Sequence, residues 1–173
     1  MSSWIFGYGS LVWRPDLPYS EARWGWIEGW ERRFWQGSPD HRGQPDDPGR
    51  VLTLIQRRNA RCWGRVYQID PAQEEAVMKK LNHREKAGYD LIDVAVETKA
   101  GIVLAKTYVG NATNPHFLGP APLRDMLSQI RRCHGPSGSN KDYVLELAKA
   151  LREVETPSEE PELFVLATAL GAT

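Results

Sequence analysis

Residues 4–11 read Trp-Ile-Phe-Gly-Tyr-Gly-Ser-Leu, a short apolar run that breaks into a glycine-flanked segment. Trp4-Ile5-Phe6 predicts a buried strand, and the glycines predict a loop directly after it. Because glycine has no Cβ, a ligand can closely approach the backbone N–H groups of such a loop. A bend that only carries the chain out of a core strand is the simpler alternative, and the pattern leaves both open.

The first half of the chain continues in a β register. Residues 24–35 are rich in aromatic side chains with glycine interruptions, which is typical of a bent or bulged strand. Residues 51–57 and 62–69 bracket a polar turn at Asn59-Ala60 and predict a hairpin. Residues 37–50 carry three prolines and three glycines, so we expect a long loop there.

A helix begins at a well-defined point in the middle of the chain. Asp70 is a good N-cap, Pro71 suits the first helical position, and Gln73 completes a capping box. Val77 and Leu81 lie one turn apart on its inward face. The remaining predicted elements are a strand pair at 91–98 and 102–109 around Ala100-Gly101, and helices at 123–130, at 144–151 after a Ser139/Asn140 cap, and around 163–170 after an acidic linker at 155–162.

These elements predict an α+β fold in which a small closed or highly curved sheet has helices packed outside it. The chain has 173 residues, which fits a single domain over residues 1–173. Lys plus Arg equals Asp plus Glu at 22 each, so the net charge gives no indication of nucleic acid or of an anionic membrane as a partner. We expect one globular domain of ordinary composition.

The first residues of the chain and its cysteines predict its cellular location. The first six residues lack a basic region and a long apolar stretch, so no signal peptide is predicted, and no window approaches the ~18 apolar residues of a membrane span. Cys62 and Cys133 form no metal or redox spacing. The four histidines have no paired helical spacing, so no metal site is predicted. We expect a cytoplasmic protein and a monomer.

Glu85 follows the predicted helix directly, in the run His83-Arg84-Glu85-Lys86-Ala87-Gly88-Tyr89. A solvated carboxylate paired with Arg84 or Lys86 is the simpler interpretation, and such pairs are worth roughly 0–1 kcal/mol. However, a Glu at a helix C-terminus meets an unfavourable dipole, which indicates that something else retains it. A proton acceptor on a rigid helix, together with a loop of accessible N–H groups, is a catalytic pair and predicts an enzyme.

Other candidate groups are weaker. Ser10 lacks the Gly-x-Ser-x-Gly context of a hydrolase nucleophile. A Cys–His nucleophile using Cys62 or Cys133 has no local support, but stays open as an acyl-transferase alternative. Tyr143, just inside a predicted helix, could present its hydroxyl to a site or could merely pack.

Taken together and in order, the motifs resemble the ChaC branch of the γ-glutamylcyclotransferase family, the glutathione-specific type. The match extends over nearly the whole chain. The runs that carry it are Phe6–Leu11 with Trp13, Arg32–Ser38, Asp40–Gly43, Pro48–Val51, Trp63-Gly64, Arg84–Lys86 with Gly88-Tyr89, Asn114-Pro115, Leu118–Pro122, and Gly135–Gly138 with Asn140 and Tyr143.

The resemblance implies a small β-barrel with surrounding helices and a lyase that cleaves glutathione to 5-oxoproline and cysteinylglycine without metal or organic cofactor. It implies that Glu85 is the catalytic acid/base. The substrate-binding loop that it implies comprises Gly7, Tyr8, Gly9, Ser10, Leu11 and Val12. Ala87 departs from the family pattern, since many relatives carry glycine there, and the C-terminus is short, which leaves coverage of the cleft open.

Some choices remain open at this point. The substrate carboxylates need cations or N–H donors, and the candidate side chains are Arg32, Arg33, Arg42 and Arg50, with Tyr143 as a further hydrogen-bonding group. The alternatives to a glutathione-specific enzyme are a cyclotransferase for other γ-glutamyl amino acids or amines, and a non-enzymatic regulator of cation transport.

Overall fold

The computed structural model describes residues 2–85, 88–154 and 160–172; Lys86, Ala87 and most of the predicted acidic linker lie outside the described residues. The helices are α1 (Glu74–Arg84), α2 (Leu123–Arg132), α3 (Asn140–Leu151) and α4 (Pro161–Ala169). The strands are β1 (Ser3–Gly7), β2 (Glu21–Ser38), β3 (Gly49–Ile69), β4 (Asp90–Thr98), β5 (Gly101–Val109), β6 (His134–Gly135) and β7 (Gly138–Ser139).

Five strands close into a barrel in the order β1-β3-β2-β4-β5, which confirms the predicted α+β fold with a closed sheet. β1 runs antiparallel to β3, with Ser3 opposite Ile69, and parallel to β5, with Ile5 opposite Lys106. The contact with β5 closes the barrel. β4 and β5 form the predicted hairpin, from the Asp90–Val109 pair to the Thr98–Gly101 pair.

The hairpin predicted at Asn59-Ala60 is wrong, because β3 is one continuous strand of 21 residues. Asn59 adopts a left-handed conformation with φ 64, which Asn tolerates better than most residues. The polar run around it is a solvent-exposed part of the strand, and Arg57 pairs with Glu31 across to β2 at 3.2 Å. These side chains are polar because this part of β3 faces solvent, and the chain does not turn there. The predicted loop at 37–50 is likewise shorter, since β2 extends to Ser38 and β3 begins at Gly49.

The chain divides into two compact units, and β2 and β3 contribute residues to both. The first unit comprises Met1–Arg32 with Leu54–Asn111, and the second comprises Arg33–Thr53 with Ala112–Thr173. That the chain is one functional domain stays a prediction. Within the described ranges, no helix combines the length and the apolar character that crossing a bilayer demands.

In the first unit, α1 packs its inward face on the barrel. Val77 and Leu81 are buried in one cluster with Ile5, Tyr67 and Tyr108. The predicted helix start is confirmed, although the first turn, at 71–73, is a 3₁₀ turn. The carboxylate of Asp70 caps it by accepting a hydrogen bond from the Ala72 N–H at 2.8 Å.

In the second unit, α2, α3 and α4 pack on one another around buried aliphatic side chains such as Ile130, Leu147 and Leu163. The predicted cap of α3 is confirmed, because the Ser139 hydroxyl accepts a hydrogen bond from the Asp142 N–H at 3.0 Å. The fully buried side chain of Asn140 pairs with the backbone of Arg50 in both directions. Its Oδ1 accepts from the Arg50 N–H at 2.7 Å, and its Nδ2 donates to the Arg50 carbonyl at 2.7 Å.

Replacing Asn140 with Ala should lower the free energy of unfolding by about 2–5 kcal/mol, because two buried backbone groups of Arg50 lose their partner. Urea denaturation of the purified protein measures this change. Lys141→Ala, an exposed neighbour on the same helix, is the control and should change the free energy by less than about 0.5 kcal/mol. Equal effects of the two variants would contradict the account.

Candidate active site

The loop after β1 is a tight turn, which we call the 9–12 turn. Residues Ser10–Val12 form one 3₁₀ turn, in which the Val12 N–H donates to the Gly9 carbonyl at 2.9 Å. Over the described part of the chain, the N–H groups of Gly9, Ser10 and Leu11 donate to no other residue. Buried or half-buried N–H groups are nearly always paired, so three adjacent unpaired donors are suited to an anionic or carbonyl ligand.

Glycine is required at two positions beside the 9–12 turn. A Cβ on Gly7 would lie 2.4 Å from the Cβ of Leu11, and a Cβ on Gly64 would lie 2.3 Å from the Gly7 carbonyl oxygen. Real Cβ atoms do not approach so closely, so any larger residue at Gly7 must displace the turn. The far end of the turn is held by Tyr67, whose hydroxyl donates to the Leu11 carbonyl at 2.5 Å.

Glu85 lies where α1 ends, next to this turn. Its N–H donates to the Leu81 carbonyl at 2.8 Å, so the helix fixes its backbone, and its side chain is half-buried. The preceding residue, Arg84, donates a short hydrogen bond from its guanidinium to the Ser10 hydroxyl. The end of α1 therefore contacts the 9–12 turn directly.

Tyr108, on β5, contacts both α1 and the residue before the 9–12 turn. Its hydroxyl donates to Asn82 Oδ1 at 2.6 Å, and its carbonyl accepts from the Tyr8 hydroxyl at 2.5 Å. Burial raises the pKa of Tyr108 to about 12, and the nearby Glu85 carboxylate adds to this shift by disfavouring the phenolate. The Glu85 carboxylate and the Tyr108 phenol are therefore close enough to interact electrostatically.

The structure thus brings together the two elements that the sequence singled out, Glu85 and the run from Gly7 to Val12. The catalytic and binding roles of these residues stay predictions. The sequence did not predict that Asn82 and Tyr108 lie at this site. The signal for Asn82 was present, since it stands three residues before Glu85 on one helix face, but Tyr108 is distant in sequence and only the barrel brings it close.

Arg32 also belongs to the first unit, where its buried guanidinium donates to the Tyr8 carbonyl at 2.7 Å. The other candidate arginines lie in the second unit, and each has protein partners. Arg33 pairs with the Glu162 carboxylate at 3.2 Å. The remaining two are Arg42, which donates to the Ser139 carbonyl at 3.0 Å, and Arg50, which donates to the Phe34 and Gly119 carbonyls at 2.9 Å each.

Tyr143 is buried in the second unit. Its hydroxyl accepts a hydrogen bond from the Leu52 N–H at 3.3 Å, and the guanidinium of Arg42 lies over its ring at 5.5 Å from the centroid. Tyr143 therefore packs inside the second unit. That its hydroxyl binds a substrate stays a prediction.

Neither cysteine has the surroundings of a nucleophile. Cys62 and Cys133 are both buried, and burial raises the pKa of the Cys133 thiol, which disfavours the reactive thiolate. The surroundings of both thiols thus disfavour the acyl-transferase alternative. Among residues 2–85, 88–154 and 160–172, no three His, Cys, Asp or Glu side chains cluster at a spacing that could ligate a metal ion.

A family model described as ChaC-like protein matches residues 3–172. The chain belongs to the ChaC-like family. This confirms the resemblance that the sequence motifs indicated.

Named relatives match over nearly the whole length of this chain. Glutathione-specific gamma-glutamylcyclotransferase 1 of Danio rerio is 41% identical over 177 residues, covering 99% of this chain and 90% of that protein. The Homo sapiens protein of the same name is 41% identical over 173 residues, covering 97% and 78%. The crystal structure of the yeast cyclotransferase specific to glutathione, labelled with selenomethionine, superposes with a TM-score of 0.89 at 31% identity, covering 98% and 95%.

The free energy of unfolding should fall between about pH 10 and about pH 12. In that window Tyr108 keeps its proton in the folded protein, while an unfolded tyrosine, with a pKa of about 10, loses it. Below pH 10 both states are protonated, so the contribution is complete and constant. Tyr67, whose pKa burial also raises to about 12, acts in the same direction.

Denaturation at a series of pH values measures this slope. The slope should become shallower in Tyr108→Phe and shallower again in the double variant with Tyr67→Phe. An unchanged slope in Tyr108→Phe would contradict the burial of this phenol.

Proposed function

We propose that this chain is a glutathione-specific γ-glutamylcyclotransferase, which cleaves glutathione to 5-oxoproline and cysteinylglycine. The names of relatives that match 97–99% of this chain support this substrate. The observation that carries the mechanism is the half-buried carboxylate of Glu85 beside a turn with three N–H donors that have no acceptor among the described residues. We further propose that the protein works in the cytoplasm as a monomer.

The reaction is an intramolecular aminolysis. Glu85 accepts a proton from the α-ammonium of the γ-glutamyl group, because only the neutral amine has a lone pair. The amine nitrogen attacks the γ-carbonyl carbon and forms a five-membered ring with a negatively charged oxygen. Collapse of this intermediate breaks the bond to the cysteine nitrogen. In total, two protons pass from the attacking nitrogen to the departing nitrogen through Glu85, which ends in its starting form.

The N–H groups of the 9–12 turn are the proposed donors to the developing oxyanion. A donor held in place before the reaction stabilises the charged intermediate without reorganisation, and one such donor contributes roughly 10²–10³ in rate. The three donors are adjacent in one turn, and Leu11 in this turn packs closely on Gly7 at the end of β1. We assign the γ-carbonyl oxygen to this turn for that reason.

A single carboxylate is enough because both reacting groups belong to one molecule. Well-oriented intramolecular reactions reach effective molarities of about 10⁵–10⁸ M, so binding the γ-glutamyl group in a curled conformation supplies a large part of the acceleration. General acid–base catalysis by a positioned side chain adds roughly 10²–10⁴. The account therefore needs a base and oxyanion donors, and it needs no covalent nucleophile.

A second candidate is a cyclotransferase with a broader choice of γ-glutamyl compounds. One observation favours it: a relative from Arabidopsis thaliana, 38% identical over 164 residues, is named Gamma-glutamylcyclotransferase 2-3, a name without glutathione. Comparing kcat/KM for glutathione with that for γ-glutamyl dipeptides decides between the two. A non-enzymatic regulator of cation transport is the remaining alternative, and calorimetric binding of a partner without turnover would favour it.

Glu85→Gln should abolish release of cysteinylglycine from glutathione, with a loss of at least about 10² in kcat, because the amide cannot accept the proton. The fold should persist, since the shapes of the two side chains are nearly the same. Glu75→Gln, an exposed glutamate on α1, makes the same chemical change and should keep wild-type turnover. Wild-type turnover by a folded Glu85→Gln protein would remove the assignment.

Gly7→Ala should lower kcat/KM for glutathione by about 10², because the added Cβ displaces the turn through Leu11 and a shift near 1 Å costs this much. Gly25→Ala in β2 is the matched control: its Cβ would lie 2.7 Å from the Glu97 carbonyl oxygen, in the barrel wall. This control should lose stability and keep its kcat. If both variants lose the same activity per folded molecule, crowding of the turn has no specific role.

A further inference from the structure

Arg32 lies on β2 and is almost fully buried, with 3% of its surface exposed. One terminal nitrogen of its guanidinium, Nη1, donates to the Tyr8 carbonyl at 2.7 Å, and the other, Nη2, makes a short hydrogen bond to the Trp63 carbonyl. A buried cation of this kind must keep its acceptors, since losing one leaves charge without a partner in a site with little water. The contact between Arg32 and Tyr8 is therefore difficult to break.

The position of the Tyr8 carbonyl also fixes the amide of the next residue. The carbonyl of Tyr8 and the N–H of Gly9 belong to one planar trans peptide unit, in which they point in opposite directions. With the carbonyl held by Arg32, the Gly9 N–H points away from the guanidinium. In the described residues this N–H has no acceptor, so its direction is set while its partner site stays open.

The charge of Arg32 also makes the Gly9 N–H a stronger donor. A hydrogen bond to the carbonyl from a cation polarises the peptide unit, and linked hydrogen bonds strengthen one another by about 10–30% per bond. The positive charge lies one peptide unit behind the donor. It therefore favours negative charge on an acceptor that the Gly9 N–H binds.

At the C-terminal end of the same turn, Tyr67 makes a hydrogen bond that differs from that of Arg32 in its effect. The Tyr67 hydroxyl holds the Leu11 carbonyl at 2.5 Å, much as Arg32 holds the Tyr8 carbonyl. The N–H in that peptide unit, however, belongs to Val12 and already donates to the Gly9 carbonyl at 2.9 Å. Tyr67 therefore anchors the turn without orienting an open donor.

We propose that Arg32 is a positioning residue for catalysis: it holds the Tyr8–Gly9 peptide so that the Gly9 N–H faces the oxyanion formed from the γ-carbonyl of the substrate. The assignment rests on the proposed cyclotransferase function. In this role Arg32 acts through the backbone and does not bind a substrate carboxylate, the role for which the sequence made it one of four candidates.

The test compares Arg32→Lys with Tyr67→Phe in steady-state kinetics with glutathione, each corrected for the folded fraction. Lysine keeps the charge but cannot hold both carbonyls in fixed geometry. We expect Arg32→Lys to lower kcat about 10- to 100-fold with KM changed less than about threefold, because the donor acts on the intermediate. Tyr67→Phe should lose stability and keep kcat within about threefold.

A second measurement uses the wild-type protein and needs no variant to fold. Adding glutaryl-cysteinylglycine, which lacks the α-amine and cannot cyclise, should shift the amide proton of Gly9 downfield in NMR spectra. The Val12 amide, whose acceptor is internal, should move much less. Equal shifts of the two amides, or no shift of Gly9, would overturn the proposal.

The outcomes separate the two claims. If wild-type protein releases cysteinylglycine and Arg32→Lys loses no more kcat than Tyr67→Phe, the role of Arg32 is refuted and the cyclotransferase function stands. A tenfold or larger rise in KM at constant kcat would instead refute positioning and assign Arg32 to substrate binding. If wild-type protein does not turn over glutathione, the proposed function falls, and the role of Arg32 falls with it.

Discussion

The hydrogen bond from the buried guanidinium of Arg32 to the Tyr8 carbonyl is the contact on which the geometry of the candidate site depends. It fixes one peptide unit at the point where the chain leaves β1. The next residues form a single 3₁₀ turn, in which Leu11 lies close against Gly7. The consequence is a row of N–H groups that have no acceptor in the described part of the chain, next to the point where α1 ends and Glu85 follows.

The barrel and α1 hold this carboxylate in place. Val77 and Leu81 bury one face of α1 against the barrel, so Glu85 occupies a fixed point immediately after the last helical residue. The Arg84–Ser10 contact and the Tyr8–Tyr108 contact join the helix end, the turn and β5. In the first unit, the strands and α1 therefore support the site, and the backbone of the 9–12 turn provides the donors that we propose for the oxyanion.

Local signals in the sequence were enough for most elements. Asp70 and Ser139 predicted helix starts because a cap acts within three residues, and the β4–β5 hairpin followed from two apolar runs around Gly101. The hairpin at Asn59 was wrong because a polar run looks the same in a turn and in a strand that faces water. The closed barrel adds contacts between residues far apart in sequence, and local periodicity does not report them.

The candidate site was predictable only in part, for the same reason. Glu85 and the glycine-flanked turn have local signatures, whereas Tyr108 comes near Glu85 because α1 packs against the barrel that contains β5. Several runs that carry the family resemblance have structural contacts in the second unit. The Asn140–Arg50 pairing and the hydrogen bond from Gln36 to Asn114 at 3.1 Å are examples. A motif can therefore identify a family through residues that hold the fold together.

The most direct test of the central claim is a crystal structure of the Glu85→Gln protein with glutathione bound. The account predicts that the γ-carbonyl oxygen lies within hydrogen-bonding distance, about 2.7–3.1 Å, of an N–H of the 9–12 turn. It also predicts the α-amino nitrogen within about 3.2 Å of the side chain at position 85. Glutathione bound with its γ-glutamyl group away from this turn would contradict the account.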